Sequence, residues 1–223
     1  MEKSKEHFIV AIDGPAGSGK STVSKLIAKK LGLLYIDTGA MYRALTLKAM
    51  RAGMDLEDSG SLVRLAGSTK VDLLQAGNNL KVMLDGEDVS GFIRTPELTN
   101  NVKFIARVPG VRHEMVIQQR AIGQRSSAVL EGRDIGTVVF PDAKYKFYLD
   151  ADVEERAKRR HKEMVEADQK VDLGDIQKDV IKRDESDITR DVGALKKAPD
   201  AILVDTTDLS IEGVVEKLLS YIK

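Results

Sequence analysis

The chain has 223 residues, with 35 basic and 35 acidic side chains and no cysteine. That length buries one substantial core, while balanced charge provides no positive field to favour nucleic-acid backbones or anionic membranes. The lack of cysteine excludes a disulfide framework, a thiol nucleophile and zinc sites built on thiolates. Residues Met1–His7 lead into only five consecutive apolar residues, Phe8–Ile12, too few for a signal-peptide core or a membrane span. The expectation is a soluble, cytoplasmic protein with small-molecule partners, no nucleic acid and no membrane.

Phe8–Ile12 predicts the first strand, and it runs into Gly14-Pro15-Ala16-Gly17-Ser18-Gly19-Lys20-Ser21, which fits G-x-x-x-x-G-K-[ST] at every fixed position. The segment from Ser21 and Thr22 to Ala28 predicts a helix. A strand before and a helix after are the setting of a phosphate-binding loop. Its glycines let consecutive N–H groups curl around a polyphosphate, and the helix N-terminus favours an anion. Lys20 then reaches the β- and γ-phosphates and Ser21 the Mg²⁺. A nucleoside triphosphate is the expected ligand.

Leu33–Ile36 predicts the second strand, which ends at Asp37-Thr38-Gly39-Ala40-Met41-Tyr42-Arg43. A turn there opens a helix and places a hydroxyl, N–H groups and a guanidinium near the strand ends, where ligands bind in open α/β sheets. The alternative makes Thr38 an ordinary N-cap and Arg43 a solvated helix residue. Lys70–Leu74 and Leu80–Leu84 predict short strands, and Asp85-Gly86 is a hairpin-turn signal, so an antiparallel insertion is expected, either ligand-binding or decorative. Ala128–Leu130 predicts a strand that delivers Glu131, Arg133 and Asp134 to a glycine-flanked turn. There Arg133 is placed to bind a phosphate bidentately, Asp134 to accept from a ligand and Glu131 to hold a Mg²⁺-bound water. The alternative is an Arg–Asp surface pair.

Tyr145–Leu149 predicts the next strand. Asp152-Val153-Glu154-Glu155 then opens a helix that sets Arg156, Arg159 and Arg160 on one face, as an anion site or as a solvated, salt-bridged face. Lys182–Arg190 sets Arg183, Asp187 and Arg190 on one face if helical. Ala201–Val204 as a strand and Ile211–Ile222 as a helix complete the chain. The alternation implies a parallel sheet covered by helices.

Together these residues resemble the bacterial cytidylate kinases, the (d)CMP kinase family of the nucleoside monophosphate kinases. The resemblance is carried by Ile12–Ser21, Asp37–Arg43, Gly86–Arg94, Glu131–Ala143 with Phe140-Pro141-Asp142-Ala143, Arg183-Asp184 with Asp187, and Ala201–Thr207. It implies one P-loop kinase domain over residues 1–223, of NTPase type: a parallel sheet flanked by helices. An antiparallel, β-rich insertion that binds the monophosphate is expected near 64–104, and a short helical lid near 154–171. The implied reaction moves a phosphoryl group from ATP to CMP or dCMP with Mg²⁺, in a cytoplasmic monomer. By the resemblance, Gly14 through Ser21, Thr22 and Arg156 hold ATP. Thr38, Arg43 and Arg133 bind the CMP phosphate, and Lys103, Arg112 and Asp134 face the cytosine. Arg183 and Asp187 meet the ribose, and Tyr42 lines the acceptor site. Lys20, Arg133, Arg159, Arg160 and Arg190 act on the transferring group, and Ser21 holds the metal with Glu131 through water. Lys103 stands where some relatives carry a serine, replacing a hydroxyl that gives and accepts with a donor-only ammonium. Glu131 stands where some carry aspartate.

No catalytic base is needed for that reaction. A nucleoside monophosphate has its second pKa near about 6 and is already largely a dianionic nucleophile at neutral pH. Two rivals remain at this point. One is another small-molecule P-loop kinase, acting on shikimate or a different nucleotide. The other is a GTP-dependent switch, but Asn-Lys-x-Asp does not occur and the Asp-x-x-Gly match Asp88–Gly91 falls in the insertion.

Overall fold

The computed structural model describes residues 7–76, 79–166 and 168–222. Residues 1–6, on which the expectation of no leader partly rests, lie outside them, as do Gly77 and Asn78 of the expected insertion and Ala167 of the expected lid. In chain order the elements are β1 (Ile9–Asp13), α1 (Lys20–Leu31), β2 (Leu34–Asp37), α2 (Thr38–Arg51), α3 (Ser59–Gly67), β3 (Val71–Ala76), β4 (Asn79–Leu84) and β5 (Glu87–Asp88). They continue with α4 (Pro96–Ala106), α5 (Pro109–Gly123), β6 (Ala128–Gly132), a π-helical turn (Ile135–Val139), β7 (Tyr145–Asp150), α6 (Val153–Glu166), α7 (Leu173–Ile188), β8 (Ile202–Asp205) and α8 (Ile211–Tyr221).

Five strands form one sheet in the order β2-β6-β1-β7-β8, and three form another, β3-β4-β5. β1 and β7 are parallel with Asp13 opposite Tyr148, and β7 and β8 are parallel with Phe147 opposite Ile202. Each of the five predicted parallel strands is present within two residues of its expected limits. For the central strands the reason is burial: Val10, Ala11, Ile12, Val129, Leu130 and Leu149 of β1, β6 and β7 are fully enclosed, whereas the edge strand β8 buries Val204 and exposes Leu203. The chain divides into two compact units, Met1–Ile9 with Ala28–Leu130, and Val10–Ile27 with Glu131–Lys223.

In the first unit α2 packs on α4 and β4, and α3 packs on α5. The N-termini of α2, α3 and α4 are capped by side chains: Asp37 accepts from the Ala40 amide, Asp58 from Ser61 and Thr95 from Leu98. Each such cap is worth about 1 kcal/mol. Asp37, not Thr38, is therefore the cap of α2, which removes the bland reading of Thr38. The antiparallel insertion is present, with Leu73 opposite Val82 and Val71 opposite Leu84, all four buried. Asp85 and Gly86 both have positive φ, 50° and 92°, and they join β4 to the two-residue β5, with Leu84 opposite Glu87. Two central residues at positive φ make the primed turn that matches strand twist. β5 itself is too short to show in a sequence pattern.

In the second unit Phe147 of β7 packs on Tyr221 of α8, with ring centroids 6.1 Å apart. α6 and α7 join through Ala157, Ile176 and Val180, with Val153, Met164 and Val171 around them. Burying Ile176 or Val180 contributes about 1.5–3 kcal/mol relative to exposure. Asp172 caps α7 by accepting from Gly174 and Asp175. α7 ends at Ile188, with the Thr189 amide bonded back to Glu185. Arg190 lies beyond that end, so the expected helical face reaching Arg190 is corrected. Among the described residues, no helix is long and apolar enough to cross a membrane.

Candidate active site

The second unit carries the phosphate loop at the end of β1, continuing into α1 at Lys20. Gly14 has φ 146°, and a Cβ there would lie 2.0 Å from the Leu149 carbonyl oxygen, so the loop leaves the sheet by a path open only to glycine. Within the loop Ser18 Oγ donates to the Pro15 carbonyl at 3.1 Å. Lys20 Nζ donates to the same carbonyl at 2.5 Å and lies 3.3 Å from Ser18 Oγ. Lys20 is only 5 % exposed, and burial pushes its ammonium down to about 7, helped by Arg133 and opposed by Glu131, Asp187 and Asp13. An anion brought to this loop favours the protonated form and restores the charge.

Ser21 Oγ donates to Glu131 Oε2 at 2.8 Å. A hydroxyl and a carboxylate offer the hard oxygen donors that Mg²⁺ takes. Among the described residues no group of three or more His, Asp or Glu side chains is placed to hold a metal ion unaided. The pair thus fits an ion that draws its other ligands from phosphate and water, which is the usual state of Mg²⁺ at a polyphosphate.

Past β6, Arg133 Nε donates to Asp187 Oδ2 at 2.6 Å, and Arg190 donates to the other oxygen of Asp187. Burial works against ionisation of Asp187, but Arg133, Arg190 and Arg183 outweigh it and hold its carboxyl below the usual range. The buried Asp187 thereby sets the direction of two guanidinium groups, a suitable arrangement for a dianionic phosphate. Asp134 is 5 % exposed at the start of the π-helical turn. On α6 the three arginines have separate surroundings. Arg156 is buried against Asp184 at 2.6 Å, and Arg159 bonds Glu155 at 3.0 Å and the Thr206 carbonyl at 2.7 Å. Arg160 is the more exposed of them and lies 3.4 Å from Glu163. Each of the three arginines thus has a carboxylate neighbour, in keeping with the salt-bridged alternative read from the charge pattern.

The first unit holds the other expected residues. Arg112 is 2 % exposed, donates to the Ala106 carbonyl at 3.1 Å, and has its Cζ 5.4 Å from the Tyr42 ring centroid. A guanidinium over a phenol ring is a planar, apolar-faced donor, suited to a flat heterocycle. Arg43 pairs with Asp37 at 3.2 Å, and Arg94 approaches the same carboxylate oxygen at 3.6 Å. Thr38 is buried at the first turn of α2. Lys103 is exposed, with its ammonium 5.0 Å from the Phe104 ring.

Asp13 is a residue of this region that motif reading passed over, although it stands directly before Gly14. Its two carboxylate oxygens accept from the Ile135 and Gly136 amides at 2.8 and 2.7 Å, which caps the π-helical turn that follows Arg133 and Asp134. Burial pushes its carboxyl from 3.8 up to about 6 against those two amide bonds. An acid with a raised folded pKa binds its proton more tightly folded than unfolded. Ionised Asp13 therefore costs stability, fully above about pH 6, and that cost fades as pH falls towards 4. Relative to Asp13→Asn, the wild type is expected to gain on the order of 2–3 kcal/mol between those limits. Urea unfolding of both proteins across pH 4–7 measures it, and a constant difference would show that Asp13 does not titrate there.

The cytidylate kinase family model matches residues 10–223. A cytidylate kinase of Desulforamulus reducens is 50% identical over 218 residues, covering 98% of each chain. One from Geobacillus sp. (strain WCH70) is 49% identical over 218 residues, 98% of this chain and 97% of that one. Among solved structures, shikimate kinase from Bacteroides thetaiotaomicron aligns with a TM-score of 0.50 and 12% identity, covering 97% of this chain and 99% of that one, a likeness of fold alone. With a phosphate loop complete at every position, a Glu131–Ser21 pair beside it and close relatives along nearly the whole length, this chain belongs to the cytidylate kinase family.

Proposed function

We propose that the protein transfers the γ-phosphoryl group of ATP to CMP, giving CDP and ADP, and accepts dCMP as well. The observation that carries this reading is family membership over residues 10–223 together with the intact loop Gly14–Ser21. ATP takes the backbone N–H groups of Gly14, Ala16, Gly17, Ser18, Gly19, Lys20, Ser21 and Thr22, while Pro15, which has no N–H, shapes the loop between them. Thr38, Arg43 and Arg133 bind the acceptor phosphate beside Tyr42. Lys103, Arg112 and Asp134 read cytosine, and Arg183 and Asp187 meet the ribose. Asp187 already accepts from Arg133 and Arg190, but a carboxylate has about four acceptor positions, so lone pairs remain for a sugar hydroxyl. Segment 64–104 serves as the acceptor lobe, and segment 154–171 as the lid that shields the reaction from water.

The chemistry needs alignment and charge neutralisation rather than proton abstraction. Lys20, Arg133 and Arg190 offset the charge that spreads over the moving phosphoryl group, and Arg159 and Arg160 add theirs from α6. Ser21 and Glu131 would hold Mg²⁺, which supplies further neutralisation at the phosphates. The balanced charge suits a small-molecule enzyme, and we place it in the cytoplasm as a monomer without nucleic-acid partners.

CMP-dependent formation of ADP tests the reading directly. ATP turnover that ignores CMP but responds to shikimate or another nucleotide would replace it. Base reading has its own test. Asp134→Ala should lower the ratio of kcat/KM for CMP over UMP by at least about tenfold, because a site built to pair with one base edge penalises the analogue that leaves it unpaired. An unchanged ratio removes Asp134 from that role.

A further inference from the structure

The phosphate loop passes close to α6 at Gly17. A Cβ there would lie 2.9 Å from the Arg156 carbonyl oxygen and 3.0 Å from the Arg156 Cβ. The Arg156 side chain returns to the same loop: Nη1 donates to the Ala16 carbonyl at 3.1 Å, and Nε donates to Ala151 at 2.9 Å. The residue is only 4 % exposed, and its guanidinium is therefore committed to the wall of the loop. Its counter-charge comes from α7, where Asp184 Oδ2 lies 2.6 Å from Nη1. The other oxygen of Asp184 is buried with no hydrogen-bond partner among the described residues. Desolvation raises the Asp184 pKa even with Arg156 beside it. Enclosing one carboxylate oxygen without a partner is costly, and the bond from Arg156 to the other oxygen offsets that cost.

We propose that Asp184 is a positioning residue for the donor nucleotide, holding the Arg156 guanidinium on the Ala16 carbonyl and so fixing the Ala16–Gly17 turn whose amides receive the phosphates. This rests on the reading of Gly14–Thr22 as the ATP loop. It also revises Arg156, whose donors face the protein and whose influence on ATP passes through the loop backbone. Misplacing that turn by a fraction of an ångström weakens several amide–phosphate bonds together, since they are all aimed by the same short segment.

Calorimetric titration of the full chain with MgATP, without any acceptor, tests the proposal independently of the CMP assignment. Asp184→Asn keeps the size of the side chain and removes its charge. The expected result is an ATP affinity about tenfold lower, with a fold intact by thermal unfolding. In an Arg156→Met background the same substitution should change affinity by less than about twofold, because the bond it would break is already gone. Unchanged affinity in Asp184→Asn, or an equal loss in both backgrounds, overturns the proposal. Should Asp184→Asn fail to fold, Asp184→Glu decides. Its longer arm displaces the guanidinium and should lower affinity at least about threefold, whereas wild-type affinity overturns the proposal. Failure of the wild type itself to bind MgATP would instead strike the reading of the loop.

Discussion

Lys20→Ala should lower kcat with ATP and CMP by a factor on the order of 10²–10³, the usual cost of removing one preorganised group from a developing charge. The same variant should be at least as heat-resistant as the wild type. Lys20 is buried, and its ammonium is pushed down to about 7 chiefly by desolvation. For a base whose folded pKa lies below its unfolded value, the protonated form costs stability at pH below about 7, and the cost fades as pH rises towards 10.5. Alanine removes that burden while leaving the loop glycines in place. Activity and stability should therefore move in opposite directions below pH 7, an outcome that misfolding does not produce. Steady-state kinetics and thermal unfolding at pH 6 read both. A Lys20→Ala enzyme with wild-type kcat would end the assignment of this side chain to the transferring phosphate.

Gly14→Ala should abolish nucleotide binding and cost on the order of 3 kcal/mol of stability, summing a strained backbone and an overlap that no rotamer relieves. The added Cβ would lie 2.0 Å from a backbone oxygen of β7, and φ at this position is 146°. Neither partner is the far end of a flexible side chain, so the strand or the loop must shift. Gly19→Ala is the control in the same loop. Its φ is 84°, but nothing lies within 4 Å of the new Cβ, so only the conformational cost of about 1 kcal/mol remains. Urea unfolding and MgATP titration of the two variants give the comparison. Equal losses would show that the close approach to Leu149 is not what requires glycine at position 14.

The loop, the five parallel strands and the antiparallel insertion were legible in the chain because each has a local cause. Gly14–Ser21 is a contiguous motif, and its glycines answer to backbone conformation within a few residues. The strands are short apolar runs, and the central ones, β1 and β6, are enclosed on both sides once folded, whereas the edge strand β8 leaves Leu203 exposed. Asp85-Gly86 carries its turn preference in its own two residues. Helix limits were less legible. α7 stops two residues before Arg190, and the π-helical turn Ile135–Val139 leaves no periodic trace, since five residues complete no repeat.

The partner of each charge was a matter for the tertiary structure. Charge spacing on α6 left Arg156, Arg159 and Arg160 as either an anion site or a salt-bridged face, and only the fold turns Arg156 inward to Asp184 and the Ala16 carbonyl, and Arg159 to Thr206. Asp13, given no role of its own by the sequence, is the cap of a turn that begins 122 residues later. Asp187 was expected from the family at a sugar, and the fold also makes it the anchor of Arg133 and Arg190. Residues close in the chain share a backbone geometry that their own side chains dictate, so motif, strand and turn were written in the sequence. Which carboxylate neutralises which guanidinium depends on burial, and burial exists only after α6, α7 and β1 have packed, so that part of the protein was decided by the fold.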